Sequence, residues 1–325
     1  MASYVLSRSL QTVLTLFVMS ILVFTGLYLV GNPVDVLLST TATPAERLEV
    51  IQALGLDKPV WEQYWLFLVK ALSGDLGNSF VFNQPALTLI LSRMPATLEL
   101  AFVALAMALV IGVPLGVYAG IRPKGLISKS IMTFSILGFS LPTFWIGLVM
   151  ILLFSVQLGW LPASGRGETT DLFGVPVSFL TWDGLSHLIL PAINLALFKI
   201  SLVIRLTRTG VIECMQLDFV RFARAKGLPE TRIVLVHVLK NTLIPLITVV
   251  GLELGSLIAF AVVTETIFAW PGMGKLIIDA IGRLDRPVIL AYLMITVVMF
   301  SLINLLVDIL YSIADPRVRL EGKPQ

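Results

Sequence analysis

The sequence holds a single cysteine, Cys214, and two histidines, His187 and His237, in 325 residues. One thiol excludes an internal disulfide, and two imidazoles are too few for a histidine-built metal centre. Charge is scarce as well, at 13% of residues, where soluble domains carry about 25%. With 57% of its residues hydrophobic, the chain cannot clothe itself in a polar surface, which excludes an ordinary soluble protein. A phosphate-binding G-x-x-x-x-G-K-[S/T] loop is missing too. Gly272-Met-Gly-Lys275 lacks the spacing and the following hydroxyl, so ATP chemistry, if any, belongs to another polypeptide.

What the chain does have is long apolar runs. Residues 9–31, behind Arg8, carry no charge and are long enough to cross the ~30 Å hydrocarbon core. This run exceeds the apolar core of a signal peptide and no small-x-small cleavage pattern follows, so it reads as a retained first span. Further runs lie at 96–119 with Glu99, 131–156 with Pro142, 187–206 with Pro191 and Lys199, 242–263 with Glu253, and 288–311 with Asp308. The pattern predicts an all-α polytopic membrane protein with six transmembrane helices. Its divisions are an N-terminal helix over 1–31, an extramembrane segment over 32–95, a core over 96–315 and a tail over 316–325.

Between the runs the composition changes. The 32–95 segment carries Pro44, Pro59, Pro85, an amphipathic piece near 45–54, and Trp61, Tyr64, Trp65, Phe67 and Phe80, which predict an ordered, packed segment partly at headgroup level. Residues 157–186 form a Gly/Pro/Thr-rich loop. After Pro271-Gly-Met-Gly274, an amphipathic helix is expected through Leu276, Ile277, Ala280, Ile281 and Leu284.

One polar island, 218–241, interrupts the apolar sequence. Arg221, Arg224, Lys226, Arg232 and Lys240 face only Asp218 and Glu230, while Phe219, Phe222, Ala223 and Leu228 supply an apolar side. This predicts a short amphipathic helix over about 216–226, stopped by Gly227, with Pro229 in the first turn of a second helix that runs into the next span. Such an elbow is a surface offered to a soluble partner. The plainer alternative is a basic interfacial loop that merely follows the positive-inside rule. Six spans put both termini and the island on one side, which holds fourteen Lys and Arg against five Asp and Glu; the other side holds eight against twelve. That excess assigns the island to the cytoplasm.

The string Ala223-Arg-Ala-Lys-Gly-Leu228, followed by His237-Val-Leu239, Asn241 and Pro245, resembles the cytoplasmic loop of permease subunits of binding-protein-dependent ABC importers, in the dipeptide, oligopeptide and nickel branch. Leu54-Gly-Leu-Asp-Lys-Pro59, Gly74-Asp-Leu-Gly77, Ala96-Thr-Leu-Glu-Leu-Ala101, Leu141-Pro-Thr-Phe-Trp-Ile-Gly147, Thr264 to Gly274 and Asp315-Pro-Arg317 also resemble that branch. Where the wider family opens the loop with Glu-Ala-Ala, this chain has Arg221-Phe222-Ala223. An acidic contact from that position is therefore not expected.

The resemblance implies a type I ABC importer permease fold with five shared core helices and one added at the N-terminus, in a bacterial inner membrane. It implies a second homologous permease, two ATP-binding cassette subunits that use ATP and Mg, a periplasmic or lipid-anchored substrate-binding protein and surrounding lipids, with no nucleic acid and no cofactor on this chain. It makes Phe219, Arg221, Phe222, Ala223, Arg224, Lys226 and Gly227 the ATPase-coupling residues. Di- or oligopeptides are the expected cargo, with nickel, metal chelates, oligosaccharides or opine-like solutes as the alternative. A passive channel and an intramembrane enzyme are the rivals of other classes; for the second, Gly138-Phe-Ser140-Leu-Pro142 lacks the second glycine of a nucleophile elbow.

The charges within the spans carry their own expectations. Glu99 and Asp308 read as headgroup-level or packing residues. Lys199 and Glu253 lie deeper and are expected to meet between spans four and five, as a structural pair or as a lining of the translocation path. Pro142 and Pro191 read as tolerated kinks first and hinges of that path second.

Overall fold

The computed structural model describes residues 2–29, 43–53 and 56–314. The Asp315-Pro-Arg317 string, the tail, residues 30–42 and 54–55, and the side chains of Asp308 and Pro245 lie outside the described residues. Helices follow the apolar runs: α1 Ala2–Leu29, α2 Pro44–Ala53, α3 Val60–Leu72, α4 Ala86–Ile121, α5 Leu126–Ser140 and α6 Thr143–Met150, which continues as a π-helical stretch, Ile151–Gln157. After a hairpin of β1 Thr170–Leu172 and β2 Val175–Val177 come α7 Trp182–Cys214, α8 Asp218–Ala225 and α9 Glu230–Arg232. The last leads through a π-helical stretch, Ile233–Val238, into α10 Leu239–Ile267, followed by α11 Met273–Gly282 and α12 Arg286–Ala314.

Among the described residues, α1, α4, α7 and α12 contain segments long and apolar enough to cross a membrane, and the bent α5–α6 pair makes a fifth if it is one span. Helix α10 covers the fifth expected run over its whole length. Three expectations need correction. Helix α4 starts at Ala86, well before residue 96, because Pro95 and Pro114 are both carried inside it; spanning helices tolerate proline where neighbours satisfy the freed backbone groups. Pro142 is no kink within a helix. It caps the start of α6 in extended conformation, so the third run is two helices bent at a break, whereas Pro191 does lie inside α7. The 157–186 loop is not purely irregular: it contains the hairpin, whose turn residues Phe173 and Gly174 both have positive φ, the geometry that matches strand twist in a two-residue connection.

The chain divides into two compact units, residues 1–94 with 272–305, and residues 95–271 with 306–325. In the first unit, α3 packs on α1: Ser20 Oγ and Tyr64 Oη are 2.8 Å apart, and Phe24 contacts the rings of Tyr64 and Phe67 at 5.3 and 5.6 Å. Only part of the expected aromatic packing forms, since Trp61 and Trp65 stay exposed. Helix α2 is exposed from Pro44 to Glu49. In α11 the expected stripe holds for Leu276, Ile277 and Ala280, while Ile281 and Leu284 are exposed. Buried Asp285 accepts from the Ser79 hydroxyl and from the amides of Phe80 and Val81 at 3.1 and 3.3 Å, which straps the 79–82 turn to the α11–α12 corner.

In the second unit α4 and α7 approach through glycines. A Cβ on Gly112, Gly116 or Gly120 would stand within 2.8 Å of side-chain atoms of Val203, Thr207 or Val211, so the two backbones are closer than any other residue allows. Buried Glu99 bonds at one oxygen to the amide and hydroxyl of Ser178 and the amide of Phe179, and at the other to Arg166. It is a packing residue. Trp270 closes the same end by donating to the Ala96 carbonyl at 2.9 Å beneath the Arg166 guanidinium.

Candidate functional site

The polar island folds as an elbow. Helix α8 ends with Gly227 at φ +73°. The Leu228 amide donates to the Ala223 carbonyl at 3.2 Å and the Gly227 amide to the Arg224 carbonyl at 2.9 Å, the paired bonds of a Schellman ending. Leu228 packs onto the cluster that contains Ala223, supplying the hydrophobic contact that usually accompanies that ending. Pro229 then stands at the N-cap of α9, so two backbone constraints in three residues set the angle between the helices.

The short helix has two apolar faces. Val220 and Ala223 point inward and are buried with Val211, Ile233 and Val238, against Cys214, Met215 and Leu228. Phe219 and Phe222 point outward, Phe222 with 62% of its surface exposed. Ala223, expected among the coupling contacts, is therefore an inward anchor, because the residues one position along from Phe219 and Phe222 turn toward α7 and the stretch after α9. The inward face fastens the elbow to its neighbouring helices as one body.

Around the outward phenylalanines sit the bases. The Lys226 ammonium lies 4.5 Å from the Phe222 ring centroid, a cation–π distance. Arg224 donates through Nε and Nη2 to the two carboxylate oxygens of Glu230 at 2.6 and 3.3 Å, and Arg221 reaches Asp218 at 3.4 Å on a fully open surface. The Arg224 hydrogen bond holds the Glu230 carboxyl below its ordinary value of 4.5. A depressed carboxyl contributes its bond above its free pKa and loses it only as pH falls through the lower, folded value. The latch is therefore expected to stay closed through neutral and mildly acidic pH. A label beside Gly227 should lose order only below pH 4.5, and an opening between pH 5 and 7 contradicts the assignment.

The expected meeting of Lys199 and Glu253 occurs. Lys199 from α7 donates to the Glu253 carboxylate and, at 2.6 Å, to the Ser256 hydroxyl, which in turn donates to Glu253 at 2.7 Å. Phe198 and Phe260 lie 5.1 and 5.9 Å from the ammonium. The pair is lopsided: the Lys199 side chain is 5% exposed and that of Glu253 26%. Pro142 is exposed at its helix break, and no hydrogen bond, ion pair or ring contact joins it to this pair among the described residues. Ser256 and Arg166 were not singled out from the sequence. Ser256 is three residues from Glu253 on one helical face, a spacing that signals it, whereas nothing local ties Arg166 to Glu99.

Long apolar helices thus carry a basic elbow with one apolar face buried and the other open. Comparison with known proteins gives the family. Residues 112–320 match the model of the binding-protein-dependent transport system inner membrane component, and residues 1–101 match the N-terminal component of the same systems. The chain belongs to this family of inner-membrane transport components. It is 41% identical to the di/tripeptide transport system permease protein DppB of Pseudomonas aeruginosa, over 98% of this chain and 99% of that protein. It is 35% identical to the dipeptide transport system permease protein DppB of Escherichia coli K12 over the same shares, and 38% identical to the oligopeptide permease AppB of Bacillus subtilis, again over 98% and 99%. The inward-facing MetNI methionine ABC transporter shares the fold, with a TM-score of 0.57 over 71% of this chain and 98% of that one, at 18% identity. The fold is thus the type I ABC importer permease fold, in a family of transport components.

Proposed function

We propose that this chain forms one half of the translocation path of an ATP-driven importer that takes up di- or oligopeptides delivered by a substrate-binding protein. The relatives named above as peptide permeases, matched end to end, support the cargo. The observation that carries the mechanism is the elbow, fastened inward by Val220 and Ala223 and presenting Phe219 and Phe222 outward. A second, homologous permease completes the path, and each elbow seats in one of two ATPase subunits, where ATP and Mg are bound. In this reading the chain crosses the membrane six times, and the base excess on the elbow's side orients the elbow and both termini to the cytoplasm of a bacterial cell, with lipid around the rest.

In this reading ATPase closure moves the elbow as a rigid lever. Its force passes into α7 and through α9 into α10, the two helices that carry Lys199 and Glu253. The partly open carboxylate of Glu253 borders the path, since an ionised group at this depth has to meet protein or water and not lipid tails. Lys199 is its buried counter-ion, and the break at Pro142 gives α5 and α6 a place to bend.

Phe222→Ala tests the docking. Removal of a central aromatic anchor weakens interfaces by about 2 kcal/mol or more, some thirtyfold in affinity. Binding of purified ATPase subunits to the permease pair in detergent is expected to fall accordingly, with Arg221→Ala costing far less. Equal binding by Phe222→Ala and the unmodified chain contradicts the proposal.

A further inference from the structure

Helix α3 carries a second apolar stripe that no packing within its own unit explains. Trp61, Trp65, Val69 and Leu72 follow one another at helical spacing, and they are exposed by 73%, 61%, 48% and 82%. On the other flank of the helix, Tyr64 and Phe67 are held against α1 by Ser20 and Phe24. Phe24 and Ser20 both lie within the uncharged 9–31 run of α1, so the attachment holds α3 against the bilayer-crossing part of that helix.

We propose that α3 lies in the membrane plane as an interfacial anchor, its Trp61–Trp65–Val69–Leu72 stripe seated at the boundary between headgroups and acyl chains. Three observations choose lipid as the occupant. Its attachment to Ser20 and Phe24 holds it beside the bilayer-crossing run of α1, within reach of lipid. On α1, Val18, Ile21 and Leu22 are exposed beside the packed Ser20 and Phe24 in sequence, so both helices of the pair carry open apolar surface. Its composition, two tryptophans among aliphatics, suits a boundary that is wet on one side and apolar on the other. The charges sit where they can reach water: Lys58 pairs with Glu62 at 3.1 Å beside the first turn, and exposed Lys70 lies in the last turn, with a stem long enough to lift its ammonium to the headgroups. Residues 60–72 thereby become a float that fixes the height and tilt of α1. The inference depends on α1 crossing the bilayer and not on the cargo.

The test uses the assembled transporter in liposomes of phosphatidylethanolamine and phosphatidylglycerol. In a Cys214→Ala background, single cysteines at Trp61, Trp65, Val69, Glu62 and, as a reference, Val18 carry a nitroxide. Collisions with oxygen, which partitions into lipid, and with a water-soluble nickel chelate are then compared. Oxygen is expected to dominate at 61, 65 and 69, as at Val18, and nickel at 62. Nickel dominance at 61, 65 and 69 with a lipid-exposed Val18 overturns the anchor and leaves the span intact. Low access to both reagents there overturns it in favour of a protein partner covering the stripe. Nickel access at Val18 as well removes the span and the anchor together. A label-free check uses brominated-chain lipids: quenching of tryptophan fluorescence should drop in Trp61→Phe/Trp65→Phe, and unchanged quenching contradicts lipid contact.

Discussion

Glu253→Gln is expected to yield far less assembled transporter than the unmodified chain, and Lys199→Met distinctly more than Glu253→Gln. Glutamine leaves the ammonium of Lys199, whose side chain is 5% exposed, without its counter-charge, with Ser256 and two aromatic rings beside it among the described residues. Removing one member of a buried pair costs about 3–5 kcal/mol, and the partial exposure of Glu253 argues for the lower end. Lys199→Met strands a carboxylate that already reaches the open side and can be hydrated there, so its cost is smaller. The swapped pair, Lys199→Glu with Glu253→Lys, separates structure from transport. If Glu253 borders the path, the swap restores assembly, measured as complex recovered after purification, but not uptake. Recovery of both would make the pair a structural clamp alone.

The second large effect belongs to Gly227. With φ at +73° and nothing within 4 Å of where a Cβ would stand, the position is limited by backbone strain and not by space. The left-handed conformation costs an ordinary residue about 1–2 kcal/mol, while asparagine tolerates it. Gly227→Val is therefore expected to abandon the helix ending and change the angle at which the Phe219–Phe222 face is presented. The transporter should still assemble and hydrolyse ATP, but uptake per ATP should collapse. Gly227→Asn should retain most uptake. Equal transport by the valine and glycine proteins would contradict the lever, and equal loss with asparagine and valine would mean that space or a contact matters there.

The elbow was legible because its punctuation is chemical: Gly227 needs no neighbour to make it a stop, and Pro229 none to make it a start. Lys199 and Glu253 were legible because charge deep in an apolar run has few solutions other than pairing. The faces of α8 were not, since Phe219/Phe222 and Val220/Ala223 are both apolar pairs three residues apart. Which pair turns inward depends on Val211, Ile233 and Val238, distant in sequence. The start of α4 was obscured for a related reason. Arg93 and Pro95 look like a boundary locally, yet the helix passes through both. Trp61, Tyr64, Trp65 and Phe67 together predict a packed segment partly at headgroup level; composition predicts that aromatics order a segment, but not which of them face the protein.

The central claim is that this chain, through its elbow, lets ATP hydrolysis elsewhere drive peptide import. The most direct measurement is uptake of a labelled dipeptide into proteoliposomes that contain the permease pair and both ATPase subunits, with binding protein present outside and ATP enclosed. Uptake is predicted to require ATP and the binding protein together and to be lost with Phe222→Ala. Dipeptide entry that continues without ATP, or that is indifferent to Phe222→Ala, would contradict the account.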